Sequence, residues 1–275
     1  MALDLTPAEQ PILDCLPALR AWGVQHVVLT HVMQIGYTQG VPLAHEEEYA
    51  AWLEKCALPL RNTGLTVDVR LRASGVPADE ILALAGEAGV KLIVLGSRGQ
   101  NMLSKLFLGS VARAVIHDTN VPVLLEWIEP SAAATRARCE AVCTDTLRRI
   151  LFATDFSEQA KAAEKAVLEL APRATQVDCV HVLAADQHEA AAAAETSAQA
   201  AMADLVERIN AAGGQASGTL LQGRPSSEIA RYAASQDISM IVVGKRGQNL
   251  IASLVIGSTA TKLCEIAGRP VLMVP

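Results

Sequence analysis

The chain has 275 residues and a formal net charge of −6, and it is 51% hydrophobic but only 3% aromatic. Its length suits two domains, and its aliphatic composition is typical of parallel α/β layers with strands buried on both faces. Lysine and arginine form no basic stripe, and no apolar run approaches the roughly 18 residues of a membrane span. These features argue against nucleic acid and membrane partners. Since the N-terminus shows no signal-peptide pattern, they also predict a cytoplasmic protein.

The predicted elements alternate between strand and helix along the chain. The first strand is reduced to "MAL" before Asp4, and residues 129–146 form a connector whose Ala and Arg content favours partial helix. In the second half, "RRILFATD" is a full-length strand, and Ser157 is placed to cap the helix that follows. An Ala-rich helix then ends at Gly213, and Pro225 opens another.

Each half therefore contains five strands with helical crossovers, which predicts an α/β fold of two tandem doubly wound five-stranded parallel-sheet domains. The predicted boundaries are 1–128 for the first domain, 129–146 for the connector and 147–275 for the second domain. The halves share an order of features over roughly 130 residues, which indicates a domain duplication and not a short solenoid repeat. A short first strand would weaken the middle of the first sheet, so either the sheet tolerates it or the true start lies upstream.

A glycine pattern, G-x2-G-x9-G-S, occurs in both halves. A glycine at a strand end lets a ligand approach the backbone, and Gly-Ser before a helix places free N–H groups where a phosphate can bind. In the alternative interpretation, these glycines only form the turns that end a strand and begin a helix. The pattern is neither a Walker A sequence nor a dinucleotide fingerprint, which disfavours NAD, FAD and P-loop hydrolysis. Its residues are Gly96, Gly99, Gly109 and Ser110 in the first half, and Gly244, Gly247, Gly257 and Ser258 in the second.

The segments "GSRGQNMLSKLFLGS" and "GKRGQNLIASLVIGS", together with "ATDFSEQA", resemble the universal stress protein family in its tandem two-domain form. The resemblance implies that ATP, ADP or AMP binds between the glycine loop and the first strand, with Mg²⁺ held through the phosphates. It implies roles for Asp155 beside the adenine or ribose, for Val182 against the base, and for Gly244, Gly247, Gly257, Ser258 and Thr259 at the ribose and phosphates. The matching first-half positions are Asp4, Val32, Gly96, Gly99, Gly109, Ser110 and Val111.

The first half departs from the family pattern at its base side, because Leu3 stands where the second half has Thr154. We therefore expect the second site to be the better binder. His31 and His181 end matching strands, and a structural role is favoured for both over that of a catalytic base. Arg246 and its first-half counterpart Arg98 are interpreted as phosphate ligands or solvent-facing side chains, with solvent slightly favoured.

Three functions are compatible with these features. The favoured one is an adenine-nucleotide-binding stress-response regulator that does not consume its ligand, because no convincing catalytic set is evident. A slow ATPase or phosphotransferase is the second, with Lys245 and Arg246 as sources of positive charge. The third is a scaffold with vestigial sites. In all three, the resemblance implies an intramolecular pseudo-dimer through the last strands, "VPVLLEW" and "RPVLMVP", with an unidentified protein partner and further homodimerisation left open.

Overall fold

The computed structural model describes residues 1–4, 9–34, 43–97, 108–130, 139–141, 145–183, 190–247 and 256–275. The chain divides into two compact units, Met1–Thr144 and Asp145–Pro275. Each alternates strands with helices, as the sequence predicts. None of the helices within the described ranges combines the length and the apolar character that crossing a membrane requires.

The first unit contains two sets of parallel strands, β1-β2-β3 and β4-β5, and an antiparallel pair, β6-β7. A 3₁₀ helix, Leu16–Trp22, follows its first α-helix. Its other elements in chain order are β1 (Ala2–Leu3), α1 (Glu9–Cys15), β2 (His26–Gln34), α2 (Leu43–Asn62), β3 (Thr66–Ser74), α3 (Pro77–Glu87), β4 (Ile93–Gly96), α4 (Ser110–Asp118), β5 (Val123–Glu126), β6 (Ile128–Pro130) and β7 (Cys139–Ala141).

The short strand β1 divides the sheet of the first unit. It pairs with β2 through Ala2 and Leu3 alone, opposite Thr30 and His31. The described ladders therefore form a three-stranded and a two-stranded set where the sequence predicts a five-stranded sheet. Two residues supply too few backbone groups to hold a ladder on both sides, which agrees with the expected weakness at this position.

Part of the connector forms an antiparallel strand pair, whereas its composition favours partial helix. Glu129 lies opposite Glu140, and Pro130 lies opposite Cys139. Residues 131–138, which contain most of the Ala and Arg of the connector, lie outside the described residues.

The second unit has one five-stranded parallel sheet in the order β10-β9-β8-β11-β12. Helices α5 and α6 pack together on one face, and α7 and α8 pack together on the other. The elements in chain order are β8 (Arg149–Ala153), α5 (Lys161–Leu170), β9 (Gln176–Leu183), α6 (Ala190–Ala211), β10 (Ala216–Gln222), α7 (Pro225–Ser235), β11 (Met240–Gly244), α8 (Ser258–Ile266) and β12 (Val271–Val274).

Local signals in the second unit lie where the sequence predicts them. The Ser157 hydroxyl accepts a hydrogen bond from the Ala160 amide at 3.3 Å and caps the first helical turn. Helix α6 ends at Ala211 before Gly213, whose φ of 93° only glycine adopts freely. Pro225 is the first residue of α7, where its fixed φ and missing N–H are harmless.

A buried ionic network joins the amino ends of β8 and β9. Asp178 is fully buried, and its Oδ2 accepts hydrogen bonds from Arg149 Nη2 at 2.7 Å and Arg149 Nε at 3.1 Å. The same oxygen accepts the Tyr232 hydroxyl at 3.1 Å, while Oδ1 accepts Gln176 Nε2 at 2.9 Å. Burial is the main cause that raises the pKa of Tyr232. These bonds satisfy a charge that would otherwise be strongly disfavoured in the protein interior.

The corresponding region of the first unit contains a cavity of about 30 Å³, lined mainly by apolar side chains, instead of a network. Val28 occupies the position of Asp178, and Leu84 that of Tyr232. Both line the cavity, as does the hydroxyl-bearing Thr30. The two copies have therefore diverged at the amino ends of their strands.

Candidate functional site

A cleft of about 110 Å³ lies at the carboxyl edge of the second sheet. Strand β8 stands between β9 and β11 there, so successive connections leave toward opposite faces and open a crevice. The wall residues come from the carboxyl ends of three neighbouring strands and from the helices beside them. They are Ala153, Thr154, Asp155, Ala160, Val180, His181, Val182, Pro225, Ile229, Val243, Gly244, Arg246, Gly247, Thr259 and Ala260.

The turn after β8 fixes the orientation of the Asp155 carboxylate. Asp155 Oδ1 accepts the Ser157 amide at 3.0 Å and the Ser157 hydroxyl at 2.6 Å. The Phe156 amide donates to Thr154 Oγ1 at 3.0 Å, which stabilises a positive φ of 58° at Phe156. Since Oδ1 is engaged within the turn, Oδ2 is the oxygen directed toward the opposite wall.

The carboxylate leaves little room for a side chain on that opposite wall. A Cβ at Gly247 would lie 2.4 Å from Asp155 Oδ2, well inside van der Waals contact. A Cβ at Gly244 would lie 3.2 Å from the Arg246 carbonyl oxygen, which is also tight. Gly247 thus allows the loop after β11 to approach the end of β8 closely, and Gly244 allows β11 to pass close to the Arg246 carbonyl oxygen and to the backbone at Gln159 and Ala160.

The N-terminus of α8 lies beside the same cleft. Gly257 precedes the helix, and its amide donates to the Lys245 carbonyl oxygen at 2.8 Å, which joins the two ends of the glycine loop. Thr259 lines the cleft, and Ser258 is exposed at the first helical position. The first N–H groups of a helix have no intrahelical acceptor, so this end of α8 can bind an anion.

The sequence slightly favours a solvent-facing side chain for Arg246. In the structure, this residue is half-buried and lines the cleft. Lys245 is buried, with 3% of its surface exposed, and is not part of the cleft wall. An arginine among the residues that line the cleft and the N-terminus of α8 both favour an anionic ligand.

The structure adds cleft residues that the motif search missed. Pro225 and Ile229 enter from the first turns of α7, which begins at the same edge of the sheet. Topology could have predicted these two residues, since every crossover helix in a parallel sheet begins at the carboxyl edge. Within the described ranges, no cluster of three or more His, Cys, Asp or Glu side chains is arranged to hold a metal ion.

The first unit repeats the phosphate side of this arrangement. Gly96 ends β4, and the Gly109 amide donates to the Ser97 carbonyl oxygen at 3.1 Å, just as Gly257 bonds Lys245. Ser110 begins α4, and Val111 follows it. Gly99 lies outside the described residues.

The base side of the first unit is more buried than that of the second. Leu3, His31 and Val32 have 5%, 9% and 8% of their surfaces exposed, whereas His181 and Val182 are half-buried. The His31 ring packs against Tyr49 and Trp52 of α2, at centroid distances of 5.2 and 5.5 Å. Asp4 follows β1 and is half-buried.

Comparisons with known proteins all point to one family. The model of the universal stress protein family matches residues 17–125 and 146–275. Universal stress protein A homolog 1 of Coxiella burnetii is 29% identical over 136 residues, covering 46% of this chain and 94% of that protein. A universal stress protein of Methanocaldococcus jannaschii is 43% identical over 51 residues, or 18% of this chain, and the match spans 32% of that relative's length.

A solved structure has the same fold over the whole chain. The crystal structure of a universal stress protein from Archaeoglobus fulgidus gives a TM-score of 0.76 at 22% identity. The match covers 99% of this chain and 96% of that one. At this identity, the likeness shows the tandem fold and leaves the ligand to be inferred from the cleft.

Proposed function

Since the chain belongs to the universal stress protein family, we propose that it is an adenine-nucleotide-binding regulatory protein that holds its ligand in the cleft of the second unit. The observation that carries the proposal is that Asp155 and Gly247 line the same cleft, with the Asp155 carboxylate close against the glycine backbone. The proposed role of the nucleotide is to bias conformation or partner choice without being consumed, since no side-chain nucleophile is paired with a base among the described residues that line the cleft.

Each part of the nucleotide has a matching part of the cleft. The base fits among the apolar side chains at the ends of β8 and β9, with Val182 against it. Asp155 accepts hydrogen bonds from the adenine or ribose. Gly244, Gly247, Gly257, Ser258 and Thr259 surround the ribose and phosphates, where the N-terminus of α8 and Arg246 supply positive potential. Mg²⁺ would neutralise phosphate charge and be held through the phosphates.

Substitution of Gly247 by alanine tests this assignment. The new Cβ would displace Asp155 Oδ2, so we expect the affinity for MgATP to fall roughly tenfold or more. Isothermal titration of the full chain, stripped of nucleotide, measures the change. Gly86→Ala is the matched control, since a Cβ there meets nothing within 4 Å. Absence of ATP, ADP and AMP binding to the unsubstituted chain would refute the function, and unchanged affinity in Gly247→Ala would refute the site.

We further propose a weaker site in the first unit, formed by Asp4, Val32, Gly96, Gly99, Gly109, Ser110 and Val111. Burial of Leu3 and Val32 and the packing of His31 against α2 restrict its base side.

The two units are therefore expected to bind unequally. Asp155→Ala should abolish tight MgATP binding, whereas Asp4→Ala should leave the affinity and stoichiometry of the tight site unchanged. Calorimetry on both variants distinguishes these outcomes. Two equivalent sites in the unsubstituted chain, or equal losses in the two variants, would contradict the expectation.

A further inference from the structure

The tautomer of His181 follows from its hydrogen bond. Nδ1 lies 2.9 Å from the Thr154 carbonyl oxygen. Because a carbonyl oxygen only accepts, Nδ1 must carry the proton, and Nε2 of the neutral ring is left with a lone pair. His181 is therefore a hydrogen-bond acceptor at Nε2 and at the same time holds the end of β8 in place.

The ring is fixed at the cleft wall. His181 lines the cleft and is half-buried, and its ring packs against Phe156 at a centroid distance of 4.9 Å with a 36° interplanar angle. Within the part of the chain that the structure describes, Nε2 has no hydrogen-bond partner. A ring held by a bond on one edge and by an aromatic neighbour presents this acceptor with little conformational freedom.

The acceptor lies in mainly apolar surroundings at the base side. Val180 and Val182 flank His181 on β9, and Ile229 and Val243 also line the cleft. An apolar slot with a fixed acceptor complements a flat ring that carries an N–H donor. A ring with a carbonyl oxygen at the same position would place two acceptors against each other without compensation.

We propose that His181 determines base specificity by accepting, through Nε2, a hydrogen bond from the exocyclic amino group of adenine. This inference rests on the proposed nucleotide site and adds a discriminating side chain to it. The site then favours aminopurine over oxopurine nucleotides, because a pocket built to pair a donor rejects the analogue that lacks it.

The first unit supplies a matched control. His31 Nδ1 makes the same bond, at 2.8 Å, to the Leu3 carbonyl oxygen. Its ring is buried against Tyr49 and Trp52. His31→Asn therefore makes the same change at this structural bond without altering the wall of the cleft in the second unit.

The test compares ATP, ITP and 2′-deoxy-ATP by calorimetry on the unsubstituted full chain, His181→Asn and His31→Asn. Asparagine retains a donor for the Thr154 carbonyl oxygen but places no acceptor where Nε2 lies. The unsubstituted chain and His31→Asn should prefer ATP over ITP by roughly tenfold or more. His181→Asn should lose that preference through weaker ATP binding, while the ratio between ATP and 2′-deoxy-ATP stays constant.

Three results would overturn the inference. An unchanged ratio between ATP and ITP in His181→Asn, with ATP still bound, would refute the role of His181 and leave the nucleotide site intact. Collapse of the 2′-deoxy-ATP ratio instead would assign the donor to the ribose. Failure of the unsubstituted chain to bind ATP would refute the proposed function and the inference together.

Discussion

Replacing Asp178 by alanine is expected to destabilise the chain by about 3 kcal/mol or more. Asp178 is fully buried and accepts hydrogen bonds from Arg149, Tyr232 and Gln176. Its removal leaves the Arg149 side chain, which is three-quarters buried, without its carboxylate partner. The free energy of unfolding should therefore fall by much more than the loss of one ordinary hydrogen bond would cause. Urea unfolding followed by circular dichroism measures the change.

An exposed pair provides the comparison for Asp178. Asp204 Oδ2 accepts a bond from Arg208 Nε at 2.9 Å across one turn of α6, and the Asp204 side chain is 67% exposed. Asp204→Ala should therefore change the free energy of unfolding by about 0.5 kcal/mol or less. Similar losses in the two variants would show that the buried network contributes no more than a surface ion pair.

Replacing Glu126 by glutamine is expected to stabilise the chain at neutral and alkaline pH. Glu126 ends β5 with 1% of its surface exposed, and neither carboxyl oxygen has a hydrogen-bond partner of ordinary geometry among the described residues. Burial raises the pKa of this carboxyl from 4.5 to about 8, an effect that the Cys15 thiol partly offsets. The second unit has Val274 at the equivalent position, so the fold does not require a carboxyl there.

The sign of the pH dependence follows from that raised pKa. Below pH 4.5 the carboxyl is protonated in both the folded and the unfolded chain. Between pH 4.5 and about 8 the unfolded chain ionises while the folded chain keeps its proton, so stability falls as the pH rises. Glu126→Gln removes this loss, and its advantage should grow over that interval to several kcal/mol, at most about 5.

Tryptophan fluorescence suits this measurement, since Trp22, Trp52 and Trp127 all lie in the first unit. Urea unfolding at a series of pH values should show the difference widening up to about pH 8 and constant above it. Glu47→Gln, at an exposed position of α2, should show no such widening. A pH-independent difference for Glu126→Gln would mean that the carboxyl is ionised in the folded chain.

Local chemistry explains which features the sequence predicts correctly. The Ser157 cap, the end of α6 before Gly213 and the start of α7 at Pro225 each depend on a residue and its immediate neighbours. The approach of Asp155 to Gly247 is also foreshadowed, because a strand-end carboxylate and a strand-end glycine at the switch point of a parallel sheet must lie close together.

Contacts between distant segments explain the rest. Arg149 and Asp178 are 29 residues apart, and nothing in either strand alone marks them as a pair. The cover of His31 by Tyr49 and Trp52 depends on how α2 packs against β2. The short β7 likewise forms only because Ile128–Pro130 is available to pair with it. In each case the deciding partner lies outside the local pattern.

The difference between the network and the cavity also limits recombination between the two halves of the coding sequence. An exchange that replaced β9 with β2 would carry Val28 into the position of Asp178 and leave Arg149 without a carboxylate. The reverse exchange would place Asp178 in a small cavity lined mainly by apolar side chains, beside the Met1 amino group but with no guanidinium to form the network. Each half can therefore accumulate substitutions suited to its own interior. Sequence exchange between the halves is disfavoured, because either hybrid would be less stable than the present chain.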